Sequence, residues 1–129
     1  MTSIFTKIIN KEIPCYLVAE SQSIISFMDI NPIAIGHVLV VPKKEIDNIF
    51  DLDSKTYHEL WDFAKKVSIA LKKTIPCNRI GISVIGLEVP HAHIHLVPIN
   101  KMSDMDFKNK ISSSINFDEI AQKISKNII

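Results

Sequence analysis

The sequence predicts an α+β fold: an antiparallel sheet of about five strands with one long helix, a short N-terminal helix and a C-terminal helix. Two observations carry this. Short apolar and β-branched runs bounded by polar or Pro-containing stretches come in groups before residue 42 and after residue 79. Between those groups, residues 54–73 place Tyr57, Leu60, Trp61, Ala64, Val67 and Leu71 at three- and four-residue steps, the period of one helix face. Strands in runs around one helix favour antiparallel pairing over the alternating strand–helix units of a parallel sheet.

The elements follow in order. Ser3 caps a short helix to Asn10, with Ile4, Phe5, Ile8 and Ile9 on its apolar side, and Pro14 stops it. Residues 15–19 and 24–28 read as two strands joined by a polar turn at 20–23. Residues 29–35 form a Pro-containing loop, and 37–41 are a β-branched central strand ending at Pro42. Asp53 or Ser54 caps the long helix, whose other face carries Lys55, His58, Glu59, Asp62 and Lys65; Pro76 closes it. Residues 79–85 and 91–97 are paired strands with a short connection, and 116–124 are a last helix with Asp118 and Glu119 in its first turn. A chain of 129 residues suits one domain spanning 1–129, with its core in 3–100 and an extension in 101–129.

Composition excludes several function classes. A formal net charge of +1 gives no bulk electrostatic case for nucleic acid or an anionic membrane. Lys72 and Lys73 sit at a helix end, where they suit the dipole. Cys15 and Cys77 form neither a CxxC metal site nor a disulfide framework, and read as free thiols in a reducing cytoplasm. There is no signal-peptide pattern, and the longest apolar stretch, 33–41, is far shorter than the roughly 20 residues a bilayer requires.

The chemistry concentrates in His91-Ala92-His93-Ile94-His95-Leu96-Val97-Pro98. On a strand, alternation puts His91, His93 and His95 on one face, roughly 6.5–7 Å apart, and Ala92, Ile94 and Leu96 on the other. Three of the five histidines on one face are not explained by packing, because each buried imidazole needs partners. Two chemistries use such a strand. Histidines at i and i+2 can chelate zinc or iron, with His37 or Asp29 completing the set in space; no Glu follows in 96–100 to do so. Alternatively, a neutral imidazole attacks phosphorus while its neighbours bind non-bridging oxygens and pass a proton. His58, Trp61 and the run 104–106 read as a solvated side chain, a core residue and a loop.

The motif resembles the signature of the histidine-triad (HIT) superfamily, and the Hint-like bacterial branch in particular. Residues 3–9 with Glu12-Ile13-Pro14, residues 27–32, and residues 36–43 are similar to that family's opening helix, ribose-contacting loop and central strand, so the likeness runs over about 3–100. The resemblance implies that His93 is the nucleophile, forming a nucleotidyl-histidine that water resolves to a nucleoside monophosphate. It implies that His91 and His95 hold the phosphate, that His37 supports them, and that Asp29 accepts the ribose hydroxyls. Ile4, Phe5, Ile8, Phe27 and Ile30 would wall the base pocket. No metal and no cofactor are implied; a purine nucleotide substrate and a homodimer are. The expected activity is that of a nucleotidyl hydrolase or transferase acting on purine nucleoside phosphoramidates. Dinucleoside polyphosphate hydrolysis, or nucleotide binding with incidental turnover, are the alternatives.

Two departures stand out. Leu87 and Glu88 replace the family's Gln and Ser or Thr around the motif, and Ser83 lies nearest the position of its phosphate-binding Asn. Glu88 could serve as a general acid, attract a cationic amine leaving group, or be a solvated loop carboxylate.

Overall fold

The computed structural model describes residues 2–111 and 114–129. The elements are α1 (Ile4–Ile9), β1 (Leu17–Glu20), β2 (Ile24–Met28), β3 (Val38–Pro42), α2 (Ser54–Thr74), β4 (Arg79–Ser83), β5 (Ile94–Ile99) and α3 (Phe117–Lys126), with 3-10 turns at Ile49–Asp51 and Met102–Met105. The five strands form one sheet in the order β1-β2-β3-β5-β4, antiparallel throughout. The α+β expectation holds.

Strand alternation divides the sheet into two apolar faces. Ile24, Val38, Val40, Ile94 and Leu96 pack with Leu60, Ala64, Val67 and Leu71 of α2 and with Ala121 and Ile124 of α3. Ile25, Phe27, Leu39 and Val41 point the other way and gather under Phe5 of α1. Every residue of β2 and β3 is therefore buried. The two helices on the first face enclose the main core, while the six-residue α1 roofs only part of the second and leaves a cleft beside it. Among the described residues no helix is long and apolar enough to cross a membrane.

Capping explains where the helices start. The side chains of Ser3, Asp53 and Asn116 each accept from a backbone N–H in the first turn, at Thr6, Thr56 and Glu119. Tyr16 stacks on Phe117 at 5.4 Å between ring centroids, which fastens α3 to the chain entering β1.

Several boundaries differ from expectation. β1 begins at Leu17, two residues late, and its register shifts between Leu17 and Ala19. β4 ends at Ser83, opposite His95, and α3 runs to Lys126. Residues 102–105 form a 3-10 turn that takes in part of the 104–106 run expected as a loop; Asp104 folds back to accept from the N–H groups of Asn100 and Lys101. The largest difference concerns β5, which starts at Ile94 and not at His91. The backbone before it is bonded elsewhere: His91 N–H donates to Val89 O at 2.8 Å and Ala92 N–H to Ile46 O at 2.7 Å.

Gly36 illustrates how tightly the loop before β3 is held. Its φ is +91°, and a Cβ there would stand 2.9 Å from Ile75 Cγ1 and 3.1 Å from Pro98 Cγ. Both conformation and space demand glycine. Gly36→Ala is expected to lower stability by about 2–4 kcal/mol, from strain plus overpacking. A urea midpoint equal to that of the parent would refute this account of the loop.

Candidate active site

The imidazoles form a bonded series whose tautomers can be assigned from their partners. His93 Nδ1 lies 2.7 Å from the carbonyl oxygen of His91. A carbonyl only accepts, so Nδ1 carries the proton and Nε2 of His93 keeps a free lone pair. His37 Nδ1 accepts from the backbone N–H of Ile33 at 3.1 Å. Its proton is therefore on Nε2, which donates to His95 Nδ1 at 3.0 Å, with Asp29 Oδ2 at 3.4 Å from the same nitrogen. His95 in turn has its proton on Nε2, as a donor. A lone pair on one ring and an N–H on its neighbour, with ring centroids 4.8 Å apart, make a nucleophile beside an oxyanion donor.

Burial keeps these rings neutral. Loss of solvent pushes the His37 pKa down to about 4, against the pull of Asp29. It pushes His95 down to about 3, with the neighbouring His93 and His37 adding to the effect. His93 is lowered too, chiefly by burial and against its bond to the His91 carbonyl. At neutral pH the site offers uncharged imidazoles, the state nucleophilic attack requires.

His91 occupies a different position from the one expected. It does not stand on a strand face with the other two and does not line the cleft. Its Nε2–H donates to Pro42 O at 2.7 Å, and its Nδ1 receives the Ser3 hydroxyl at 2.7 Å. The ring is wholly buried, so it anchors the turn whose carbonyl fixes the His93 tautomer.

The cleft itself has a volume of about 380 Å³, within the range of small-molecule sites. Its apolar walls include Ile4, Phe5, Ile8, Phe27 and Ile30, as the sequence indicated. Phe5 and Phe27 are buried and meet edge to face at 5.6 Å, while Ile4 and Ile30 are exposed rims. Asp29, Glu88, His93 and His95 also face it. Phe5 stands 4.9 Å from the His93 ring, so the apolar wall abuts the nucleophile. Asp29 Oδ1 accepts from the N–H of Asn31, and Glu88 sits exposed on the loop before the histidines. Ser83 does not line the cleft; it lies in β4 across from His95. The sequence reading missed Cys15 and, above all, Phe107 and Lys110. Phe107 caps His95 at 4.8 Å and His37 at 5.9 Å. No periodicity or motif in 101–111 marks these two residues, and they lie beyond the segment carrying the resemblance.

Among the described residues one group has metal-ligand character: single atoms of Asp29, His37 and His95 lie within 4.8 Å of one another. The tautomers oppose its use. A cation bound by His37 Nε2 would displace the proton that bonds His95, and moving that proton to Nδ1 would set it against the Ile33 N–H.

The family described as HIT domain matches residues 10–102. The chain belongs to the HIT family. Among HIT relatives, an uncharacterized HIT-like protein of Borreliella burgdorferi is 38% identical, over 97% of both chains. The adenosine 5'-monophosphoramidase of Saccharomyces cerevisiae is 33% identical over 74% of this chain and 61% of its own length. The crystal structure of a Hit-like protein involved in cell-cycle regulation from Bartonella henselae superposes with a TM-score of 0.86 at 33% identity, covering 98% of this chain and 96% of that one.

Proposed function

We propose that this protein is a nucleotidyl hydrolase that cleaves the phosphorus–nitrogen bond of purine nucleoside phosphoramidates through a covalent intermediate on His93. The observation that carries the reading is the free Nε2 lone pair of His93. Its Nδ1–H is tied to the His91 carbonyl, and the ring stands between an apolar wall and the N–H of His95. In the first step Nε2 attacks the α-phosphorus, a nitrogen–phosphorus bond forms to His93, and the bond to the leaving amine breaks. His95 Nε2–H donates to a non-bridging oxygen as charge builds there. The amine leaves toward the open side of the cleft, where Glu88 favours a cationic product, and takes a proton from solvent. Water then attacks the phosphoryl-histidine, giving a nucleoside monophosphate and restoring the imidazole. The base packs against the apolar wall to which Phe5 and Phe27 contribute, and Asp29 accepts from the ribose hydroxyls. The yeast relative's name, adenosine 5'-monophosphoramidase, supports the choice of bond.

The test is AMP release by the full chain from adenosine 5'-phosphoramidate and, in parallel, from a dinucleoside tetraphosphate. Faster turnover of the phosphoramidate is expected. Preference for the tetraphosphate would transfer the protein to polyphosphate hydrolysis, and binding of AMP without turnover of either compound would make it a nucleotide-binding protein.

A further inference from the structure

The carboxylates and neutral imidazoles of the cleft give a charge balance unfavourable for a nucleotide. Asp29 and Glu88 are carboxylates, and both histidines that line the cleft are held neutral. A nucleoside monophosphate brings one or two further negative charges, and like charges in a partly desolvated cleft repel. Neutral N–H donors can orient a phosphate but do not offset two carboxylates.

Among the described residues lining the cleft, Lys110 is the one permanent cation. It comes from the segment after β5, outside the residues that match the HIT domain. Three contacts place it. The Phe107 ring lies edge-on to His95 and His37. The Lys110 Nζ stands 5.6 Å from the centroid of that ring. The next residue, Ile111, donates its N–H to Pro32 O at 3.0 Å, which ties the segment to the loop that carries Asp29 and Asn31. The ammonium thus sits on the His95 side of the cleft. Its charge is felt by His37 and His95, whereas that of Glu88 is felt by His93. Lys110 is exposed, so its flexible stem can swing from the face of Phe107 toward a ligand without losing a buried partner.

We propose that Lys110 is the phosphate-binding cation of this cleft, its ammonium pairing with a non-bridging phosphate oxygen that His95 also contacts. The proposal rests on the nucleotide reading above and adds to it a residue from outside the segment that matches the HIT domain. In this arrangement Phe107 has two tasks: it shields the His37–His95 pair from water and fixes the point from which Lys110 reaches.

Calorimetric titration of the full chain with AMP and with adenosine, at low and moderate salt, tests this. Lys110→Ala is expected to weaken AMP binding about ten-fold and leave adenosine binding unchanged, and Lys110→Arg to retain most of the AMP affinity. Added salt should weaken AMP binding to the parent more than to Lys110→Ala. An unchanged AMP affinity in Lys110→Ala would overturn the proposal. An equal loss for AMP and adenosine would do so too, because the lysine would then order the segment without touching phosphate. If the parent binds neither compound, the nucleotide reading itself fails and takes this proposal with it.

Discussion

Replacing His93 with alanine is expected to reduce AMP release from adenosine 5'-phosphoramidate by at least ~10³-fold while AMP still binds. The reasoning is geometric. No other imidazole in the site combines cleft exposure with a free ring nitrogen. His95 has its Nδ1 occupied by His37 and its Nε2 protonated, His37 is wholly buried, and His91 is bonded at both nitrogens. The loss should therefore appear in kcat, and mass spectrometry of quenched parent enzyme should show a nucleotidyl adduct absent from the variant. A His93→Ala protein with activity within ten-fold of the parent would sink the covalent mechanism. The same tautomer argument sets the pH profile. Burial holds the His93 pKa below its ordinary value, so the acid-side fall in kcat/KM should set in at lower pH than an unperturbed imidazole would give.

The second large effect is on stability. His37 and His95 have folded pKa values lowered to about 4 and about 3, against roughly 6.5 in an unfolded chain. The unfolded state thus binds more protons than the folded state once the pH drops below about 6.5, and stability falls as pH falls. Between pH 7 and 4.5 each histidine contributes a loss of roughly 2.5 kcal/mol, and the pair up to about 5 kcal/mol. That is a large share of the ~5–15 kcal/mol typical of a folded domain. Carboxylates such as Asp53, whose bonds from Thr56 and Lys44 lower its pKa, lose their contribution only in stronger acid, so the window above pH 4.5 belongs to the histidines. Urea unfolding across this range checks it; a midpoint constant from pH 7 to 4.5 would mean that the folded rings accept protons as readily as the unfolded ones.

The parts of the fold set by local patterning were legible in the sequence. Ser3 and the pair Asp53 and Ser54 announced two helix starts, and the stripe Tyr57, Leu60, Trp61, Ala64, Val67, Leu71 marked the face of α2 that packs on the core, with Tyr57 and Trp61 only partly buried. The alternation in β2 and β3 was legible as strand but not as doubly buried, because an apolar run carries no sign of what covers it. Residues 91–93 were misread for a physical reason. The HxHxH spacing suits a strand, but only His95 lies in one; the backbone at 91–93 is held by a tight local turn, His91 N–H to Val89 O and the His93 ring to His91 O, and by one bond to a carbonyl distant in sequence, that of Ile46. The site was legible where its residues sit in the motif and its resemblance, as with His93, His95, His37 and Asp29, which the fold brings to one place. Phe107 and Lys110 were not, since the turn that returns them to the cleft depends on the tertiary bond from Ile111 to Pro32.

The Ser3 hydroxyl belongs to two structures at once. It accepts from Thr6 N–H at the start of α1 and donates to His91 behind the nucleophile. A six-residue helix does not persist in water without its docking partners. Fraying of α1 would therefore strip the wall that receives the base and, in the same event, release the ring that anchors the 91–93 turn. Recognition at one end of the cleft and reactivity at the other are thermodynamically linked through one serine oxygen. A ligand that only packs against Phe5, with no phosphate at all, would still favour the reactive tautomer of His93, remote in sequence but adjacent in space.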